Sequence, residues 1–170
     1  MGMTTPIGLA SGDGEALWYD SGLMTVKAST EQTAGGFFAF EMLTQKGKMT
    51  PLHSHPDEEE IFYILDGEIL THTAGAEETF GAGSFIVTPR GTPHAFAVLT
   101  PTVRFLCMVS PAGKGEQFFR ATAEPAPRRE LPPLSEPDVD AMMKAMHDTG
   151  MVLLGPPPFP HLLSSAGHSS

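Results

Sequence analysis

The chain has 170 residues, a length that suits one domain, and its 20 acidic against 10 basic side chains give a formal net charge of −10. That balance excludes a charge-driven grip on nucleic acid or on an anionic membrane surface, both of which need clustered Lys and Arg. A lone cysteine, Cys107, excludes an intramolecular disulfide and a cysteine-based zinc site.

Taken in chain order, the first residues (MGMTTPIGLASGDGEALW) lack the positive n-region and continuous apolar stretch of a signal peptide. No run is long enough to span a bilayer, so the sequence predicts a cytoplasmic protein. Residues 1–22 read as an N-terminal arm. From there to residue 121 short apolar runs alternate with Gly, Pro and Asp breakers: LMTVKAS, GFFAFEML, EIFYIL, GEILTHTA, SFIVTP, HAFAVL and VRFLCMVS. Each is rich in Val, Ile, Phe and Thr, and none keeps a helical period over three turns. Closely spaced short strands of this kind predict an all-β antiparallel sandwich or small barrel over 23–121. Asp66–Gly67 reads as a hairpin turn between EIFYIL and EIL. Cys107, inside VRFLCMVS, reads as a small buried hydrophobe.

After residue 121 the pattern changes. EPAPRRELPPLSEP is a Pro-rich linker. Apolar residues at Val139, Met142, Met143 and Met146 then recur at helical spacing, with acidic residues in the first turn and Gly150 beyond the end. The spacing predicts one helix at about 136–148, capped by Ser135 with Asp138 in the capping-box position. Its methionines read as a packing face, and SSAGHSS, with His168, reads as a flexible tail.

Two histidines one residue apart, His53 and His55, point to the same face of a strand. Glu60 opens the next apolar run and shares a face with Phe62 and Ile64, and His94 opens another with Phe96 and Val98 on its side. If these faces line one interior, three imidazoles and a carboxylate converge among apolar residues. Such buried polar groups are costly unless satisfied, and a divalent transition metal satisfies all four together. Imidazole suits Fe, Ni, Mn, Co, Zn or Cu and does not suit Ca or Mg. Asp57, Glu58 and Glu59 read as solvated loop charges, His72 as an exposed or hydrogen-bonded residue on a hairpin partner strand, and His147 and His161 as surface residues.

The spacing Gly47-x5-His53-x-His55-x4-Glu60-x6-Gly67 resembles the first motif of the cupins, and Gly83-x5-Pro89-x-Gly91-x2-His94 resembles the second. The second motif commonly closes on Asn, where this chain has Val98. That Asn is not a ligand in the family, so the departure leaves the metal site standing and implies a more apolar pocket there. A cupin-type double-stranded β-helix (jelly roll) is implied, with His53, His55, Glu60 and His94 as metal ligands. The stretch from LMTVKASTEQTAGGFFAFEML onward, with the later VSPAGKGEQFFR, is similar to bacterial quercetinase-like cupins. That resemblance implies oxygen-dependent cleavage of a flavonol-like substrate with release of carbon monoxide, Glu60 as the base that takes the substrate's hydroxyl proton, and a homodimer. Strand parity, with Glu41 and Arg104 outward, turns Phe38, Phe40, Phe62, Phe96 and Phe105 inward, where they serve either as a slot for a flat aromatic substrate or as ordinary sandwich core. Two other classes stay open: a non-redox metal cupin (isomerase, cyclase or decarboxylase), and a binding module without turnover.

Overall fold

The computed structural model describes residues 5–164. In chain order its elements are β1 (Glu15–Tyr19), β2 (Gly22–Ala28), β3 (Phe38–Gln45), β4 (Leu52–Ser54), β5 (Glu59–Asp66), β6 (Glu68–Thr73), β7 (Ala76–Gly81), β8 (Phe85–Thr88), β9 (His94–Val98) and β10 (Thr102–Ser110). Then follow α1 (Lys114–Thr122), β11 (Glu124–Pro125), α2 (Val139–Thr149), β12 (Val152–Gly155) and α3 (Pro160–Ser164). The tail residues 165–170, His168 among them, lie outside the described residues.

The strands form two antiparallel sheets, ordered β11-β1-β2-β3-β10-β5-β8 and β12-β4-β9-β6-β7. The fold is the all-β double-sheet jelly roll that the strand pattern predicts. The alternation of side chains explains the packing: Phe38, Phe40 and Met42 on β3 and Phe105, Cys107 and Val109 on β10 are buried, while Glu41 and Arg104 meet on the outer face at 3.5 Å. No helix among the described residues is long and apolar enough to cross a membrane.

Three sequence expectations are corrected. Asp66–Gly67 is not a hairpin turn, because β5 and β6 lie in different sheets. Gly67 instead makes the corner between them: its φ is 78°, and a Cβ there would sit 2.4 Å from the Thr102 carbonyl oxygen. The hairpin partner of β6 is β7, through a turn with Ala74 and Gly75 at positive φ, and β9 pairs with its other edge. Second, the N-terminal arm contains β1, which pairs with both β2 and β11 and so extends the larger sheet. Third, the predicted helix starts later. Asp138 is its N-cap, its carboxylate accepting from the Ala141 N–H at 3.0 Å, and Gly150 closes it in the left-handed conformation at φ 72°. Ser135 is spent elsewhere: its N–H donates to the Ser21 hydroxyl, which ties the Pro-rich segment to the β1–β2 turn. That segment is further fixed by the Trp18 indole N–H donating to the Glu130 carbonyl at 2.9 Å.

Helices α1 and α3 are additional to the one helix predicted. In α1 an Arg120–Glu116 pair one turn apart supports an otherwise short helix, and Phe118 is buried with Ala145 and Met146 of α2 in a small second core. The two helices therefore pack on each other beside one end of the barrel, near Tyr19 of β1.

Candidate metal centre

Four side chains from both sheets converge on one point. His53 lies on β4 and is the direct cross-strand partner of His94, the first residue of β9. His55 lies one residue past β4, its carbonyl accepting from the Gly91 N–H at 2.8 Å, so a glycine of the second motif fixes a histidine of the first. Glu60 enters from β5 in the opposite sheet. One ligand atom from each of the four lies within 4.8 Å of all the others. His55, Glu60 and His94 are buried, and His53 is half-buried.

The hydrogen bonds settle which ring nitrogens face inward. His53 Nδ1 and His94 Nδ1 each lie 2.8 Å from a backbone carbonyl, those of Pro51 and Thr92. A carbonyl only accepts, so each Nδ1 carries the hydrogen and leaves Nε2 to face the cluster. His55 Nε2 is buried with no hydrogen-bond partner, and His94 Nε2 lies 3.0 Å from Glu60 Oε2. An orphaned imidazole nitrogen beside two others of fixed tautomer and a carboxylate is the donor set of a transition-metal site, and the four residues fit one.

The electrostatics agree. Burial, helped by the neighbouring His94, holds His53 down at about 4, so its ring is neutral. Burial also lowers His55. For His94 burial opposes the charged form, but the hydrogen bond and charge of Glu60 override it and raise the pKa. Burial would raise Glu60; the His94 hydrogen bond and the three imidazoles bring it down to about 2. Cys107 Sγ lies 3.7 Å from Glu60 Oε1, and burial followed by that carboxylate pushes the thiol up, so it stays a protonated apolar neighbour.

Glu58 is a correction. It is not a solvated loop charge: it is 5% exposed, accepts from the Gly115 N–H at 3.0 Å, and has a carboxylate oxygen 3.9 Å from His55 Nδ1. It sits at the N-terminal end of α1, where a helix favours an anion, and burial raises its pKa. Asp57 is exposed and Glu59 half-buried, and His147 and His161 are exposed. His72 is partly buried against Phe159, its Nδ1 without a hydrogen-bond partner among the described residues.

The cluster opens into a cavity whose empty space, mouth included, is about 740 Å³. Phe40, Phe62, Phe96 and Phe105 line it as the strand parity predicts. Phe38 does not; it is fully buried behind the wall, against Phe40 and Phe119. Val98 is likewise in the main core, so the missing Asn does not make the cavity more apolar. Part of the lining comes from segments outside both motifs: Tyr19 and Asp20 from the β1–β2 hairpin, Phe118 and Phe119 from α1, and Met142, Met146 and Met151 from α2 and just beyond it. The methionine stripe of α2 thus packs and lines the cavity together. Lys48, paired with Asp20, also lines it. Burial pushes the Lys48 ammonium down to about 7.

A Cupin domain family profile matches residues 40–109, which hold all four ligands. Over those residues the chain matches a cupin domain. It is 29% identical over 135 residues to the quercetin 2,3-dioxygenase of Bacillus subtilis (strain 168), an alignment that takes in 79% of this chain and 40% of that protein. The chain thus spans well under half of that curated relative. Among solved structures, the predicted oxalate decarboxylase of Thermotoga maritima superimposes with a TM-score of 0.56 at 22% identity, covering 64% of this chain and all of that one. An RmlC-like cupin from Shewanella frigidimarina also gives 0.56, at 15% identity over 68% of this chain and 99% of its own. At these identities the structural matches show the fold alone.

Proposed function

We propose that this cupin is a metal-dependent dioxygenase that opens a flat, enol- or phenol-bearing substrate of the flavonol type, with loss of carbon monoxide. The observation that carries the reading is a His53–His55–Glu60–His94 donor set at the base of an aromatic-walled cavity, in a chain related to a quercetin 2,3-dioxygenase. A divalent transition metal bound by these four residues would supply a centre for the substrate's enol oxygen and for dioxygen.

The chain's own residues do the remainder. Phe62, Phe96 and Phe105 form a mutually edge-on and tilted set with centroids 5.0–5.9 Å apart, a wall against which a flat ring can lie. The methionines of α2 cover the other side and exclude water. Glu60 takes the hydroxyl proton of the substrate at a carboxylate oxygen. Its low pKa rests first on the proton donated by His94 Nε2. Were that nitrogen a metal ligand it would have no proton to give, and burial, which raises the pKa, would be opposed by the charge of the metal. Cys107 keeps the far side of Glu60 apolar.

The remaining parts of the proposal are a cytoplasmic homodimer acting on an aromatic small molecule. For the dimer the support is the outer face of the β5–β8 edge, where Tyr63, Phe85 and Val87 are exposed together; sedimentation at varied concentration tests it. The activity is tested by oxygen uptake with protein loaded separately with Fe(II), Ni(II), Mn(II) and Co(II), against flavonols, catechols and β-diketones. Uptake tied to one substrate class and one metal supports it. No uptake by protein of confirmed metal content overturns it and leaves a Lewis-acid or binding cupin.

A further inference from the structure

The cavity has a second polar locus that the donor set does not use. Asp20 sits at the β1–β2 turn, Tyr19–Gly22, whose two central residues both have positive φ, 45° at Asp20 and 62° at Ser21. That is the I′ hairpin geometry, normally given to Asn or Gly, and here it delivers a carboxylate to the cavity wall. Lys48, which precedes β4, pairs with it. Both side chains are largely buried, at 10% and 13% exposure. The Lys48 backbone is pinned by the Val98 N–H donating to its carbonyl at 3.0 Å, and its ammonium lies 5.6 Å above the Tyr19 ring. Thr44 lines the same cavity, is 2% exposed, and has a hydroxyl with no hydrogen-bond partner. It belongs to the end of β3 beside that turn, where the Gln45 side-chain amide donates to the Ser21 carbonyl at 3.3 Å.

An ion pair in an apolar cavity is a poor device for stability, because desolvating both charges offsets their attraction. An unsatisfied hydroxyl lining the same cavity adds a further cost. Both are explained by a ligand. The ammonium has three N–H donors, and one pairing with Asp20 does not exhaust them. The pair is neutral as a whole, so a carboxylate ligand would meet Asp20 as well as Lys48 and gain little. A hydroxyl group matches both: its oxygen accepts from Lys48 while its hydrogen is donated to Asp20 or Thr44.

We propose that Lys48 and Asp20, with Thr44, form a specificity site that selects a hydroxylated aromatic ring on the substrate. The inference rests on the cavity being the substrate site of the dioxygenase reading, and it deepens that reading by naming where the ring hydroxyls go. Discrimination is moderate rather than absolute. When a ligand lacks the hydroxyl, Lys48 and Asp20 still satisfy each other, so the preference is about tenfold rather than the far larger factor of a site left unpaired.

The test is equilibrium binding to metal-loaded protein under nitrogen, using naphthol against its methyl ether, and quercetin against the parent flavonol without ring hydroxyls. Native protein is expected to favour the hydroxylated member of each pair by about tenfold, and Lys48→Met to bring each pair within about twofold. Asp20→Asn, which tolerates the same positive φ, is the second variant should Lys48→Met fail to fold by thermal melting; it also reduces the preference. Equal affinity of native protein for naphthol and its ether, failure to bind either, or an unchanged preference in both variants overturns the proposal. A naphthol preference that vanishes in Lys48→Met, in protein that consumes no oxygen with any flavonol, leaves the hydroxyl site standing and removes the flavonol activity alone.

Discussion

The two walls of the cavity are built differently. One is the barrel wall: Phe40, Phe62, Phe96 and Phe105 with the donors His53, His55 and Glu60, carried on or beside strands of the two sheets. The other is a cap of Tyr19, Phe118, Phe119, Met142, Met146 and Met151, carried on a hairpin and two helices. The cupin profile covers the barrel wall and none of the cap, since it runs from residue 40 to 109. The barrel wall has polar donors with fixed tautomers; the cap has flexible thioethers and aromatic edges, which adapt to shape. The contrast sets fixed donors on the barrel against an adaptable apolar surface on the cap.

Four perturbations break or sharpen that contrast. The largest effect is expected at His94→Ala. It removes a donor outright, so metal affinity falls by more than the roughly 100-fold typical of an outer partner. The fold survives, because His94 heads its strand and the rest of β9 keeps its pairing with β6; metal analysis beside a melting curve reads both. Glu60→Gln comes next, with partial metal retention and a turnover loss of about 10²–10⁴, measured in single-turnover oxygen consumption. Wild-type turnover in that variant would end the general-base role.

On the cap, Phe119→Ala removes a ring that touches Tyr19, Phe38, Phe40 and Phe118. It is expected to cost about 3 kcal/mol of stability by denaturant titration and to weaken ligand binding, with metal content unchanged. Metal loss in that variant would show that the walls are not separable. The smallest effect is graded with pH. His53 is held at about 4 and stays neutral, whereas His94 is raised by Glu60. Protons and metal compete for the same Nε2, so acidification protonates His94 first. Metal retention by dialysis should therefore begin to fall, as pH drops, before the range near 4 where His53 titrates.

The barrel wall was legible because its signals are local. His53-x-His55, Glu60 and His94 each stand at the head of a β-run, and period-two alternation turns Phe62, Phe96 and Phe105 inward from sequence alone. Phe38 shows the limit of that parity, since alternation tells inward from outward but not cavity wall from core behind it. Asp66–Gly67 misled for a related reason: a positive-φ glycine between two strands is common to a hairpin and to a corner between sheets. Glu58 was hidden because its partner, the Gly115 N–H, is 57 residues away. The cap was unreadable as a cap. Lys114–Thr122 has too few residues for a clear helical period, and nothing in the spacing of Met142 and Met146 tells a packing face from a cavity face. The one clue within reach was Asp20–Ser21 ahead of Gly22, a turn sequence without a glycine in its two central places.

Strand β4 is only three residues long and carries His53. On one side its ladder to β9 consists of the His53–His94 pair, and on the other it is completed by β12, where Leu153 faces His53. A growing polypeptide that has left the ribosome as far as β10 holds all four donors yet has no neighbour for the outer edge of β4, which arrives about a hundred residues after His53 itself. At that stage the strand that carries His53 still lacks one of its two neighbours, although every donor is already present.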